Sequence, residues 1–196
     1  NSAVREALAD AGTTLVSALL LAEPCTAYVA SVGDSRAYLI DDGEMSQVTR
    51  DHSPAWSSYE EEYVRTWLRS GEGTRAVGEL QGGRLQEMSS WKREFLANHP
   101  KAHVIWNVVG YYNKIEYVDI FRIGLSRGDR LLLATDGLTD MVDDYEIWEI
   151  ARKMRPGEAA RELLRLANDR GGDDNVTLAI VSVDDRPGTG SVGNDA

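Results

Sequence analysis

Apolar residues fall in short runs along the first quarter of the chain, each closed by turn chemistry. Val4, Ala7, Leu8 and Ala11 recur at helical spacing over Ala3–Ala11, and Gly12 ends that pattern. Thr13 to Leu21 reads as a buried strand. Ala22-Glu23-Pro24 turns the chain back into a second strand, Thr26 to Val32. A third, Arg36 to Ile40, runs into Asp41-Asp42-Gly43, a hairpin-type turn, with Met45 to Thr49 as its partner. These segments predict an antiparallel meander.

The pattern changes between Ser53 and Lys101. Trp56, Trp67, Trp91 and Glu60-Glu61-Glu62 lie in two weak helical patterns around a Gly-rich stretch, Gly71 to Gly83. The stretch 53–101 reads as an insertion or flap packed on the main body by its aromatics. Strand patterns return at Val104–Val109, Tyr117–Ile123 and Arg130–Thr135. Two helices follow. Ile147, Ile150, Ala151 and Met154 share one face, with Asp143 and Glu146 spaced as a capping box. Ala160, Leu163, Leu164 and Ala167 form the next stripe, with Pro156 suited to its first turn and Gly171-Gly172 closing it. Asn175 to Val183 is the last strand, and 184–196 is a flexible Gly, Pro and Asp tail. Strands interleaved with helices predict an α+β class and a single domain over residues 1–183.

Composition narrows the function. The 196 residues suit one domain, and 42% hydrophobic with 27% charged is globular usage. Lys and Arg number 21 against 32 Asp and Glu, a net charge of −11 with a pI near 4.7. That balance argues against a nucleic-acid or anionic-membrane partner, since neither finds a basic face here. Cys25 stands alone, which excludes an internal disulfide and a Cys-rich zinc module. The longest apolar run, Leu15 to Ala22, is far too short to cross a bilayer. A cytoplasmic location is expected.

Acidic residues gather where strands end. Asp34 lies in Val32-Gly33-Asp34-Ser35-Arg36, Asp136 and Asp140 in Ala134-Thr135-Asp136-Gly137-Leu138-Thr139-Asp140, and Asp174 in Gly171-Gly172-Asp173-Asp174-Asn175-Val176. A carboxylate beside glycine at a strand end can project into a shared cleft, and several that converge need a cation among them. Oxygen donors select Mg²⁺ or Mn²⁺. Singly, each such dipeptide is also an ordinary turn.

In their order these segments, together with Gly12-Thr13-Thr14, Thr49-Arg50-Asp51-His52-Ser53 and Asn98-His99-Pro100 to Val108-Val109-Gly110, resemble the type 2C (PPM) metal-dependent protein serine/threonine phosphatases, the bacterial members above all. The resemblance spans Gly12 to Val183. It implies a four-layer α/β/β/α sandwich of two antiparallel sheets flanked by helices, with Leu131, Leu133, Leu178 and Ile180 inward. It implies hydrolysis of phosphoserine, phosphothreonine or a small phosphomonoester by metal-activated water. Asp136 and Asp174 match the aspartates of the binuclear centre and would be the catalytic pair sharing one Mg²⁺ or Mn²⁺. Asp34 and Asp140 match outer or third-metal positions, Gly137 and Asn175 would support the two loops, and Asp173 would not be a ligand.

The 196 residues depart from the family in lacking its Arg with Asn-Glu-Asp and its Asp-Gly-x-Gly-Gly turn. Those motifs carry a phosphate-gripping arginine and the aspartate that bridges both metals. The reading is therefore an N-terminally truncated phosphatase domain with a weakened metal site and little turnover alone. The alternatives are an impaired pseudophosphatase or regulatory binding module on the same fold, or a hydrolase of another substrate class. The missing edge strands leave a sheet edge that a second copy could cover, giving a homodimer.

Other signals read as structural. His99 and His103 have a His-x₃-His spacing interrupted by Pro100 and without a cysteine pair. His52 is expected to buttress a loop and Cys25 to pack in the interior. The basic residues from Arg152 to Arg170 alternate with acids at helical spacing, a solvated face.

Overall fold

The structure is a computed structural model that describes residues 12–41, 43–69, 82–110 and 115–184. The expected helix over Ala3–Ala11, most of the Gly71–Gly83 stretch and nearly all of the tail lie outside the described residues.

Strands β1 (Leu15–Leu21), β2 (Thr26–Val32), β3 (Arg36–Ile40) and β4 (Met45–Gln47) lead into helices α1 (Pro54–Arg69) and α2 (Gly82–Ala97). Then come β5 (Asp119–Gly124), β6 (Arg130–Ala134), the single turn α3 (Asp136–Thr139), α4 (Asp144–Lys153), α5 (Pro156–Asp169) and β7 (Leu178–Ser182). The strands form two antiparallel sheets, β1-β2-β5 and β4-β3-β6-β7. Helices flank them, and the expected α+β sandwich is what forms.

Two apolar clusters hold the layers. Ala27, Val29, Ala37 and Leu131 lie between the sheets, with Val16, Ala18, Phe121 and Leu133 against them. Tyr38, Ile40, Leu132 and Ala134, on the other face of the four-stranded sheet, pack on Ile147, Trp148, Ala151 and Leu163 of α4 and α5. Leu178 and Ile180 join this helix-side cluster. They are inward, but not on the sheet-to-sheet face where Leu131 and Leu133 sit. The register explains it. Leu132 pairs with Ile180 and Ala134 with Leu178, so these residues share a face and Leu131 and Leu133 take the opposite one.

The caps follow the sequence. Asp143 accepts from the Glu146 amide at 2.9 Å while the Glu146 carboxylate accepts from the Asp143 amide, a complete capping box on α4. Pro156 opens α5, whose buried stripe is Ala159, Leu163 and Ala167, with Leu164 exposed. Ser53 caps α1 by accepting from the Trp56 amide at 3.1 Å. Tilted and edge-on contacts among the rings of Trp56, Tyr59, Tyr63, Trp91 and Phe95 join α1 to α2.

Three expectations are corrected. The strand expected over Thr13–Leu21 forms as β1 but is not buried, because it ends its three-stranded sheet and leaves Leu15, Leu19, Leu20 and Leu21 exposed. Val104–Val109 is not a strand. Its backbone pairs with loops instead, Trp106 donating to the His52 carbonyl and Val109 exchanging both bonds with Thr13. Cys25 is exposed, because the β1–β2 turn that carries it lies outside both apolar clusters. Among the described residues no helix is long and apolar enough to cross a membrane.

Candidate metal and phosphoryl site

The sheet register sets the site. Arg36 opens β3 opposite Ala134 at the end of β6, and Ala134 in turn faces Leu178 at the start of β7. The loops carrying Asp34, Asp136 and Asp174 therefore leave the sandwich at one end. They line a cavity of about 620 Å³ there, together with Asp140.

Glycine lets these loops approach. A Cβ on Gly137 would lie 2.5 Å from the carbonyl oxygen of Asn175 and 3.2 Å from that of Asp174. Thr135 completes the join. Its amide donates to the Thr177 carbonyl at 3.0 Å, and its hydroxyl accepts from the Thr177 amide and donates to the Asn175 carbonyl. Asp136 and Asp174 each accept one backbone amide locally, from Gly137 and from Asn175. Asp173 lines the same cavity.

Gly33 has φ +103°, a conformation glycine adopts freely, and a Cβ there would strike the Thr14 methyl. His52 buttresses this turn as expected. Its Nδ1 accepts from the Gly33 amide at 3.1 Å and from Asn107 Nδ2 at 2.9 Å, which puts the ring proton on Nε2, facing Asp119 at 3.3 Å. Trp106 and Tyr117 enclose the ring.

Asp34, held by that turn, is the strained member of the acidic set. Burial, then the charges of Asp136 and Asp51, push its carboxyl up to about 7 despite Arg36. Among the described residues its buried Oδ1 has no partner, nor has the hydroxyl of Thr139, another lining residue. Burial and Asp136 also raise Asp140, against the pull of Arg36.

Sequence reasoning missed a second layer beneath the acids. Arg36 donates from Nε to both oxygens of Asp51 and from Nη2 to Oδ2 at 2.6 Å, with both side chains buried. Gln47 links Asp51 to Lys92, donating to Asp51 at 3.2 Å and accepting from Lys92 Nζ at 2.6 Å. Lys92 also pairs with Asp144, which accepts from the Tyr38 hydroxyl at 2.9 Å. The ammonium lies over the rings of Trp56 and Tyr38. Burial pushes Asp144 up, but Lys92, Arg36 and the two hydrogen bonds outweigh it and hold the carboxyl low. The only advance signal was that Arg36 and Asp51 sit inside the family-like segments.

The donors fit a hard divalent cation in part. The acidic set offers carboxylate oxygens, one of them buried and unpartnered among the described residues, and excess negative charge around Asp34. Among the described residues no three acidic, imidazole or thiol side chains stand together as a closed metal cage. A cation bound here would complete its shell with water, as Mg²⁺ and Mn²⁺ commonly do.

The sequence matches the Protein phosphatase 2C family over residues 1–66 and 119–176. This chain belongs to that family. Among its phosphatase 2C relatives, the Serine/threonine phosphatase stp of Listeria innocua is 34% identical over 171 residues, 87% of this chain and 56% of the relative. Protein phosphatase PhpP of Streptococcus pneumoniae is 32% identical over 92% of this chain and 61% of its own length. This chain thus spans about three fifths of the curated relatives it matches. The PPM Ser-Thr phosphatase MsPP of Mycobacterium smegmatis, solved with cacodylate, superposes with a TM-score of 0.65 at 32% identity, covering 92% of this chain and 68% of that one. The catalytic domain of the phosphatase PstP, solved with two manganese ions, gives 0.62 at 29% identity, covering 94% and 65%.

Proposed function

We propose that this chain is the larger part of a metal-dependent phosphoserine/phosphothreonine phosphatase domain using Mg²⁺ or Mn²⁺. The observation that carries the reading is that Asp34, Asp136, Asp140 and Asp174, drawn from three loops, line one cavity. Asp136 and Asp174 would hold the cation, with Asp34 and Asp140 behind them and Gly137 and Asn175 fixing the loops. A divalent cation supplies charge against the phosphoryl oxygens and lowers the pKa of water toward neutrality. Burial and the neighbouring carboxylates hold a proton on Asp34 in the metal-free chain, and a cation beside it would displace that proton. Arg36, through Asp51, anchors the start of β3 beneath it.

We read residues 1–183 as one domain with 53–101 as a flap or insertion, supported by the break in the family match between 66 and 119. The substrate is a phosphoprotein. We place the activity in the cytoplasm, where the exposed thiol of Cys25 stays reduced. Two copies pairing along an exposed sheet edge is part of this reading, and β7, with Val181 exposed at the end of its sheet, is the edge we favour. Light scattering coupled to gel filtration tests it, and a monomer at high micromolar concentration would remove it.

One observation favours an impaired enzyme as the second reading, the lack of a three-residue cage among the described residues. A chimera separates the two. The N-terminal portion of the Listeria relative is fused ahead of this chain, and Mn²⁺-dependent hydrolysis of p-nitrophenyl phosphate is followed. Turnover that disappears with Asp136→Asn supports the phosphatase. A folded chimera that binds Mn²⁺ and releases no phosphate supports the impaired form.

A further inference from the structure

Four basic side chains line the cavity: Arg36, Lys92, Arg93 and His103. Two of them are spent. Arg36 commits Nε and Nη2 to Asp51, and Lys92 commits its ammonium to Gln47 and Asp144, and both are buried. The other two are exposed. Arg93 follows Lys92 on α2, so the helix turns it about 100° away from the buried network. Its one hydrogen bond to a described residue is a long donation, 3.4 Å, from Nη2 to the carbonyl oxygen of Asp140. His103 lines the same wall of the cavity, near the Asp140 carboxyl. Both side chains therefore stand beside the acidic loops with donors in hand. The same stretch of chain brings Leu96, Ala102 and Ile105 to the lining.

A phosphoryl dianion entering this cavity meets at least four carboxylates on a chain of net charge −11. A bound cation offsets part of that repulsion, and the remaining oxygens need donors that are not already paired. We propose that Arg93 and His103 are substrate-binding donors of this site, receiving the phosphoryl group of a phosphopeptide whose apolar neighbours rest on Leu96, Ala102 and Ile105. This rests on the phosphatase reading. A guanidinium suits the task, since its fork matches phosphate oxygens two at a time. A cavity of about 620 Å³ has room for a phosphothreonine side chain and part of its neighbours. The substrate class that follows is a phosphothreonine or phosphoserine segment with apolar flanking residues.

The test is fluorescence anisotropy of a labelled phosphothreonine peptide with leucine neighbours, and of its unphosphorylated twin, titrated with the 196-residue chain in Mn²⁺. Arg93→Met should weaken the phosphopeptide about tenfold, as expected for a lost charge-assisted hydrogen bond. Arg93→Lys should recover part of that, and His103→Asn should weaken it by a smaller factor. The twin should be indifferent to all three, and Mn²⁺ titration heats should match wild type. Unchanged phosphopeptide affinity in both Arg93→Met and His103→Asn would overturn the proposal, as would equal wild-type affinity for the two peptides. Failure of the underlying phosphatase reading would show elsewhere, as Mn²⁺ heats that Asp136→Asn and Asp174→Asn leave intact.

Discussion

Gly137 packs its Cα side directly on the backbone of Asn175, so that a Cβ would stand 2.5 Å from the Asn175 carbonyl oxygen. No flexible side chain is there to move aside. The contact locks the loop of Asp136 to the loop of Asp174, and glycine is what permits it. Gly137→Ala should force the loops apart, costing roughly 1–3 kcal/mol in urea unfolding. It should also weaken Mn²⁺ binding at least tenfold by calorimetry. Wild-type affinity in a destabilised variant would mean that loop spacing does not set the site.

Lys92 and Asp144 are a buried pair joining α2 to α4. Lys92→Met leaves Asp144 charged without its main partner, which typically costs about 3–5 kcal/mol. The double variant Lys92→Met/Asp144→Leu should recover most of that, because two apolar groups need no pairing. Chemical denaturation of wild type, Lys92→Met, Asp144→Leu and the double variant checks the cycle, and additive losses would contradict it.

The same pair sets an acid limit. The Asp144 carboxyl is held below its ordinary value of 3.8 in the folded chain. Its contribution is thus fully present above the unfolded value and is lost as pH falls through the folded one. Wild type should lose stability more steeply than Asp144→Asn below about pH 4. Parallel acid titrations followed by tryptophan fluorescence would argue against this.

Asp34 works in the opposite sense. With its carboxyl raised to about 7, the folded metal-free chain holds a proton there that the unfolded chain has released. Metal-free stability should therefore rise as pH falls from 8 toward 4, and Asp34→Asn should flatten that slope. A cation binding beside Asp34 displaces the proton, so Mn²⁺ affinity should drop between pH 8 and pH 6 in wild type and less in Asp34→Asn. Equal pH dependence in the two proteins would remove Asp34 from the site.

Asp34, Asp136 and Asp174 were legible because each sits in a glycine-containing turn at a strand end, and both sheet pairing and turn chemistry are written locally. Asp34, Asp136, Asp140 and Asp174 line one cavity. The layer beneath was not legible. Arg36 meets Asp51 across 15 residues and Lys92 meets Asp144 across 52, and neither spacing has a local pattern. The facing of β7 was also hidden. Leu131, Leu132 and Leu133 are all apolar, so alternation in β6 cannot say which face of its partner turns toward the helices. Val104–Val109 carried strand-like residues, but Asn107 is drawn inward to His52 and the segment follows that loop.

The central claim is that Asp136 and Asp174 together hold a divalent cation. Calorimetric titration of Mn²⁺ into wild type, Asp136→Asn and Asp174→Asn tests it most directly. Wild type should give saturable heat that EDTA abolishes, and both variants should lose it while their melting temperatures stay near or above that of metal-free wild type. Equal heats from all three proteins would contradict it.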